Sequence, residues 1–136
     1  MTKLERGVIS LGVWIGCLPV LYFHFLFATL IPSTLRSSNS YGFDYFTAIA
    51  AACGALAWVI LGIMDLTWIS GRRLGKFFPM FGTALAAVGF APFCWSILVM
   101  PNGSVAILWI VFALPAIILA TYLVKWHTSK ITENGA

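Results

Sequence analysis

Charge is what this chain has least of. Its 136 residues include eight Lys and Arg, four Asp and Glu and two His, so charged side chains make up 9% of the sequence against 61% hydrophobic. That scarcity excludes an ordinary soluble domain: a chain of this length cannot hide so much apolar surface from water, and lipid is expected to solvate part of it. Cysteine is scarce too. Cys17, Cys53 and Cys94 stand singly in apolar runs with no C-x-x-C pair, which excludes a disulfide framework and a thioredoxin-type motif. There is no G-x-S-x-G, no H-E-x-x-H, no P-loop and no glycine-rich dinucleotide fingerprint, so none of those chemistries is indicated. No basic stripe of the kind that tracks a phosphate backbone is present, and no nucleic-acid partner is expected.

What the sequence has in quantity is long apolar runs, with a mean hydropathy of +0.97. Runs at residues 7–31, 45–69, 80–100 and 105–124 each meet the requirement of about 20 mostly apolar residues for crossing hydrocarbon. The first follows Lys3 and Arg6 as a signal peptide would, but it is too long for a signal core and lacks a small-x-small cleavage site, so it reads as a retained span. Between the second and third runs lies SGRRLGKFFP, residues 70–79, a short basic break around which the chain is organised. Residues 32–44, PSTLRSSNSYGFD, read as a flexible connector, and Pro101 to Ser104 as a tight turn. The Asn102-Gly103-Ser104 glycosylation pattern lies too close to the membrane to be used. The polar tail after Val124 reads as frayed.

Basic residues orient the spans. With the N-terminus inside, Lys3, Arg6, Arg72, Arg73, Lys76, Lys125 and Lys130 fall on the inner side and Arg36 alone on the outer. The positive-inside rule then puts both termini in the cytoplasm, with Trp68 and Trp126 near the inner interface and Tyr41 and Tyr45 near the outer. The expected fold is an all-α membrane protein: four transmembrane helices in an up-down bundle, N-in/C-in, set in a bacterial inner (plasma) membrane. Because lipid gives apolar side chains no reason to leave it, helix packing is expected at small residues. Candidates are Gly12 and Gly16 in the first span, Gly54 within the run AIAAACGALA of the second, and Gly82, Ala86 and Gly89 in the third. Pro19, Pro92 and Pro115 inside spans read as shape-making bends.

Few residues offer chemistry. Asp65 is the acidic side chain inside a span, and it shares a helix face with Ala51, Ala55, Trp58 and Gly62, so it is expected to point into protein. Lying about 6 Å from the inner end of its span, it is within reach of Arg72, Arg73 or Lys76 for a structural ion pair, or alternatively serves as a proton or cation site. His24, Cys53 and Cys94 should lie at similar depth, about 9 to 12 Å from the outer boundary, which admits a metal ion or haem iron as cofactor. Helix phase turns Cys53 away from the small-residue face, so the simpler reading is a hydrogen-bonded histidine with two apolar thiols. The basic break holds three charges, fewer than a dedicated site for anionic lipid needs, and orientation accounts for them.

Three functions follow. The chain is expected to be a non-catalytic accessory or structural subunit of a larger membrane complex, with the lipid bilayer and other membrane subunits, or further copies of itself, as partners. A small oligomeric transporter or channel using Asp65 is the alternative, and a haem- or metal-binding redox subunit using His24 the second. No motif assigns the chain to a family.

Overall fold

The computed structural model describes residues 1–37, 41–99 and 103–129, and the side chains of 1–26, 29, 45–91, 94 and 110–129. It is all-helical among the described residues: α1 (Lys3–Ser37), α2 (Tyr41–Ile69), α3 (Phe77–Val99) and α4 (Gly103–Thr128). The start of α1 is closed by a capping box, in which the Glu5 amide donates to the Thr2 hydroxyl at 3.2 Å and the Thr2 amide to the Glu5 carboxylate at 2.8 Å. Once begun, each further helical residue adds a backbone hydrogen bond, and the apolar runs offer nothing that competes with it. Among the described residues three stretches are long and apolar enough to cross a membrane: Lys3–Leu26, Tyr45–Ile69 and Ile110–Thr128, with mean hydropathies of 1.8, 2.2 and 1.7. The part of α3 whose side chains are described, Phe77–Ala91, is a shorter apolar helix.

The helices overrun the apolar runs at both ends. Residues 32–37 and 41–44, expected as part of a flexible connector, are helical. Short hydroxyl residues such as those in 32–37 are compatible with a helix, because such a side chain can donate back into its own turn, as Thr29 does to the Leu26 carbonyl at 2.7 Å. The tail also departs from expectation, with α4 running on to Thr128 and His127 buried in the interior. The turn expected at Pro101 falls largely outside the described residues, although Gly103 and Ser104 already belong to α4; Lys130 and Asn102 are also outside them.

α2 ends at Gly71. Its φ of +77° is the left-handed conformation that costs glycine least, and there the Gly71 amide donates to the Trp68 carbonyl at 3.0 Å and the Arg72 amide to that of Thr67 at 2.9 Å. These are the paired bonds of a Schellman cap, which turn the chain sharply into the linker 70–76. Pro79 follows in the first turn of α3, where a missing amide proton removes no helix bond.

Successive helices run antiparallel. α2 touches α1, α3 and α4, whereas α1 and α3 do not touch among the described residues. The start of α1, the linker and the end of α4 therefore meet at one end, here called the basic end, where Arg6 and Arg73 both lie over the Trp126 ring. The core lies toward that end between α2 and α4, built from Ile60, Leu61, Met64, Trp68, Leu119 and Leu123.

Small residues set the helix spacing, though not uniformly. A Cβ on Gly89 would stand 2.6 Å from the Gly54 Cα, and one on Gly82 2.6 Å from Ile60 Cγ2, so α2 and α3 approach backbone to backbone. Gly54 is closed from its other side by the His24 ring. Gly16 packs on Pro115 of α4, where a Cβ would lie 3.3 Å from the proline Cβ. Its expected companion Gly12 is exposed and has nothing within 4 Å of a Cβ, so the G-x-x-x-G pair does not act as one contact.

Gly89→Ala is expected to destabilise the protein by about 1–3 kcal/mol, since backbone atoms must separate to admit the methyl group. Gly62→Ala, with nothing within 4 Å, is expected to be neutral or stabilising by up to about 1 kcal/mol. Thermal unfolding in detergent, followed by circular dichroism, checks both, and equal melting temperatures for the two variants would remove the Gly54–Gly89 contact as a determinant of helix spacing.

Candidate functional site

Asp65 lies on α2, 3% exposed, and faces α1. Ser10 and Trp14 stand four residues apart on α1 and so present their donors on one face. The Ser10 hydroxyl donates to Asp65 Oδ2, and Trp14 Nε1–H donates to the same oxygen at 2.9 Å. The Trp14 ring also meets Trp58, two helical turns before Asp65 on the same face, with centroids 5.9 Å apart. The second carboxylate oxygen, Oδ1, is buried with no hydrogen-bond partner among the described residues. The expected reach to the basic linker is not made. Arg73 instead donates to the Ser129 carbonyl at 2.6 Å and covers Trp126 at 5.1 Å, while Arg72 and Lys76 are exposed. The helix end explains the difference: Asp65 projects toward α1 while the Schellman cap carries the linker toward α3 and α4.

The basic end is closed by a second group of polar contacts. Arg6 donates to the Trp68 carbonyl at 2.8 Å and lies over the rings of Trp68 and Trp126, at 5.7 and 6.0 Å. Such stacking favours the cation over a ring face. His127, 3% exposed, accepts the Leu74 amide at Nδ1, 3.1 Å away, and its Nε2 faces the Met64 carbonyl at 3.1 Å and the Thr67 hydroxyl at 3.4 Å. An amide can only donate and a carbonyl only accept, so these partners require the neutral ring with its proton on Nε2.

His24 is buried and used in the same way, its Nε2 lying 3.2 Å from the Ala51 carbonyl. Cys53 is half-buried on α2 and Cys94 exposed on α3. With α1 and α3 out of contact, these three side chains do not converge, and no group of three His, Cys, Asp or Glu that could hold a metal ion occurs among the described residues. Cys17, which sequence reasoning passed over, is fully buried on the face of α1 that carries Ser10 and His24.

A groove of about 680 Å³ lies between α2, α3 and α4. Small residues line much of it, Gly54 and Gly82 among them, with His24 near one end and Lys125 and Thr128 near the other. Ala86, expected as a packing contact, lies on its wall.

No family model, curated protein or solved structure matches the chain. The site therefore stands on its geometry alone. Sequence reasoning missed Ser10, Trp14, Arg6 and His127. A signal was available for the last, since Ala116, Leu119, Leu123 and His127 follow one another at steps of three and four on the buried face of α4.

Two substitutions test these ties. Trp14→Phe keeps an aromatic ring beside Trp58 but strips a donor from Asp65, and His127→Phe leaves the Leu74 amide and Met64 carbonyl without their side-chain partner. Each is expected to cost about 1–3 kcal/mol. Thermal melts in detergent read both, and an unchanged melting temperature for His127→Phe would show that the basic end is held by packing alone.

Proposed function

We propose that the chain is an integral membrane protein whose four helices each cross the bilayer as an up-down bundle, with both termini and the linker 70–76 in the cytoplasm, and that it serves as a non-catalytic subunit of a larger membrane assembly. The antiparallel order supports the placement: it gathers Arg6, Arg73 and Lys125 at one end, out of hydrocarbon where a central Lys or Arg costs about 2.5–3.5 kcal/mol. A bacterial inner membrane is the setting that agrees with the charge count. The subunit role rests on how the buried polar side chains are used. Ser10, His24, Asp65 and His127 are all buried; Ser10 and Asp65 bond to each other between α1 and α2, while His24 and His127 each bond to a carbonyl of α2 and His127 also to the linker. Polar groups used in this way hold helices in register. The long apolar faces of α1 and α2, with Leu11, Ile15 and Leu18 on one and Leu56, Val59 and Leu66 on the other, remain exposed for lipid or for neighbouring subunits.

One observation favours a second reading. The unpartnered Asp65 Oδ1 is a buried acceptor that a proton or small cation would satisfy, as a small oligomeric transporter would require.

Native mass spectrometry of the protein extracted gently from its own membrane, with an absorption spectrum of the same sample, separates the readings. Unrelated membrane subunits in fixed stoichiometry are the expected result. A homo-oligomer whose proton flux in proteoliposomes is abolished by Asp65→Asn would replace it with the transporter, and a haem band would replace both with a redox role. Reporter fusions after Val124 are expected to be cytoplasmic; an external reporter would overturn the placement.

A further inference from the structure

The groove between α2, α3 and α4 shares its walls with the helix contacts, Gly54, Gly82, Gly89 and the core residues Ile60, Leu61 and Met64 among them, and runs as an open trough beside them. It follows residues 54 to 64 of α2, 79 to 90 of α3 and 116 to 128 of α4, a run of roughly 15–18 Å at about 1.5 Å per residue. That is about half of the roughly 30 Å hydrocarbon core, or the depth of one leaflet. Its volume of about 680 Å³ is in the range of ligand sites, about 300–1,000 Å³. A flexible hydrocarbon chain matches that length and the apolar lining.

The two ends of the groove differ in kind. Away from the basic end the walls come from Gly54, Ala57, Ala86, Ala87 and Gly89 together with the rings of Trp58 and Phe90, and the His24 ring there faces the Ala51 carbonyl. At the basic end stand Lys125 and the Thr128 hydroxyl. Lys125 is exposed and its ammonium group has no hydrogen-bond or ion-pair partner among the described residues. Lys76, also exposed, lies one turn before Pro79, which forms part of the same end. An apolar trough one leaflet deep, opening beside an unpaired ammonium group, has the polarity of an amphiphile with a negative head.

We propose that this groove holds one acyl chain of an anionic phospholipid, with the headgroup phosphate against Lys125. The proposal rests on the membrane placement above and not on the subunit role. It also revises the sequence reading: the linker alone has too few charges for such a site, but the antiparallel fold adds Lys125 from α4, far away in the chain.

The test is native mass spectrometry of the full chain in mild detergent, titrated with phosphatidylglycerol or phosphatidylcholine of identical tails. Phosphatidylglycerol is expected to be retained about fivefold better, the equivalent of about 1 kcal/mol for one basic side chain near a headgroup. Lys125→Gln is expected to bring that ratio close to one without lowering phosphatidylcholine retention. Ala120→Phe, and independently Ala87→Phe on the opposite wall, are expected to lower retention of both lipids, with helical content checked by circular dichroism. Equal retention of the two lipids by the unsubstituted protein would overturn the proposal. So would displacement of phosphatidylglycerol by inorganic phosphate, which marks a free-anion site, or a lipid-free dimer that Ala87→Phe dissociates, which gives the groove to a second copy. A cytoplasmic reporter after Val124 alongside any of these results would leave the membrane placement standing.

Discussion

The carbonyl groups of α2 hold the molecule together. Three of them accept a bond from a side chain elsewhere in the fold: Ala51 from His24, Met64 from His127 and Trp68 from Arg6. A helical carbonyl has a second lone pair left after its own helix bond, so it accepts these donors without releasing the turn it belongs to. α1 and α4 are thereby fixed to α2 in both rotation and depth. Hydrophobic contact alone does this poorly, being non-directional and proportional only to area.

The other side of α2 works by a different rule. Toward α3 the ties are replaced by missing side chains at Gly54, Gly82 and Gly89, which let the two backbones close and gain from many short dispersion contacts. Drawing α3 so near to α2 leaves α3 and α4 farther apart. The groove is the result, lined by residues too small to fill it. Tight packing on one flank and an open groove on the other come from the same run of small residues.

Much of the architecture was legible in the chain because it depends on composition and period. The helices follow from the apolar runs, the end of α2 from Ser70-Gly71, and the inward direction of Asp65 from its shared face with Ala51 and Trp58. What was not legible depends on which helix sits beside which. The partners of Asp65 come from α1, 51 and 55 positions away in the chain, and no local pattern ties Ser10 or Trp14 to that carboxylate. His127 was hidden by its polar neighbours, which made the end of α4 look like a tail. Gly12 was misleading in the opposite sense: spacing suggested a contact, but the neighbour of that face is Pro115 of α4, which meets Gly16 and leaves Gly12 outside. Residues 32–37 and 41–44 were misread, and for 32–37 the reason is that short hydroxyl residues suit loops and helix turns alike.

The ties to α2 also divide the molecule by how freely its sequence can drift. A hydrogen bond to a carbonyl places no demand on the side chain of the residue that owns it, so Ala51 and Met64 are constrained by volume alone, whereas Trp68 also presents its ring to Arg6. Their partners His24, His127 and Arg6 are constrained by chemistry, because only a donor of the right reach can take their place. Divergence among descendants of this chain would therefore leave two different marks: interchangeable apolar residues along α2, and a few unchanging polar residues on the helices around it.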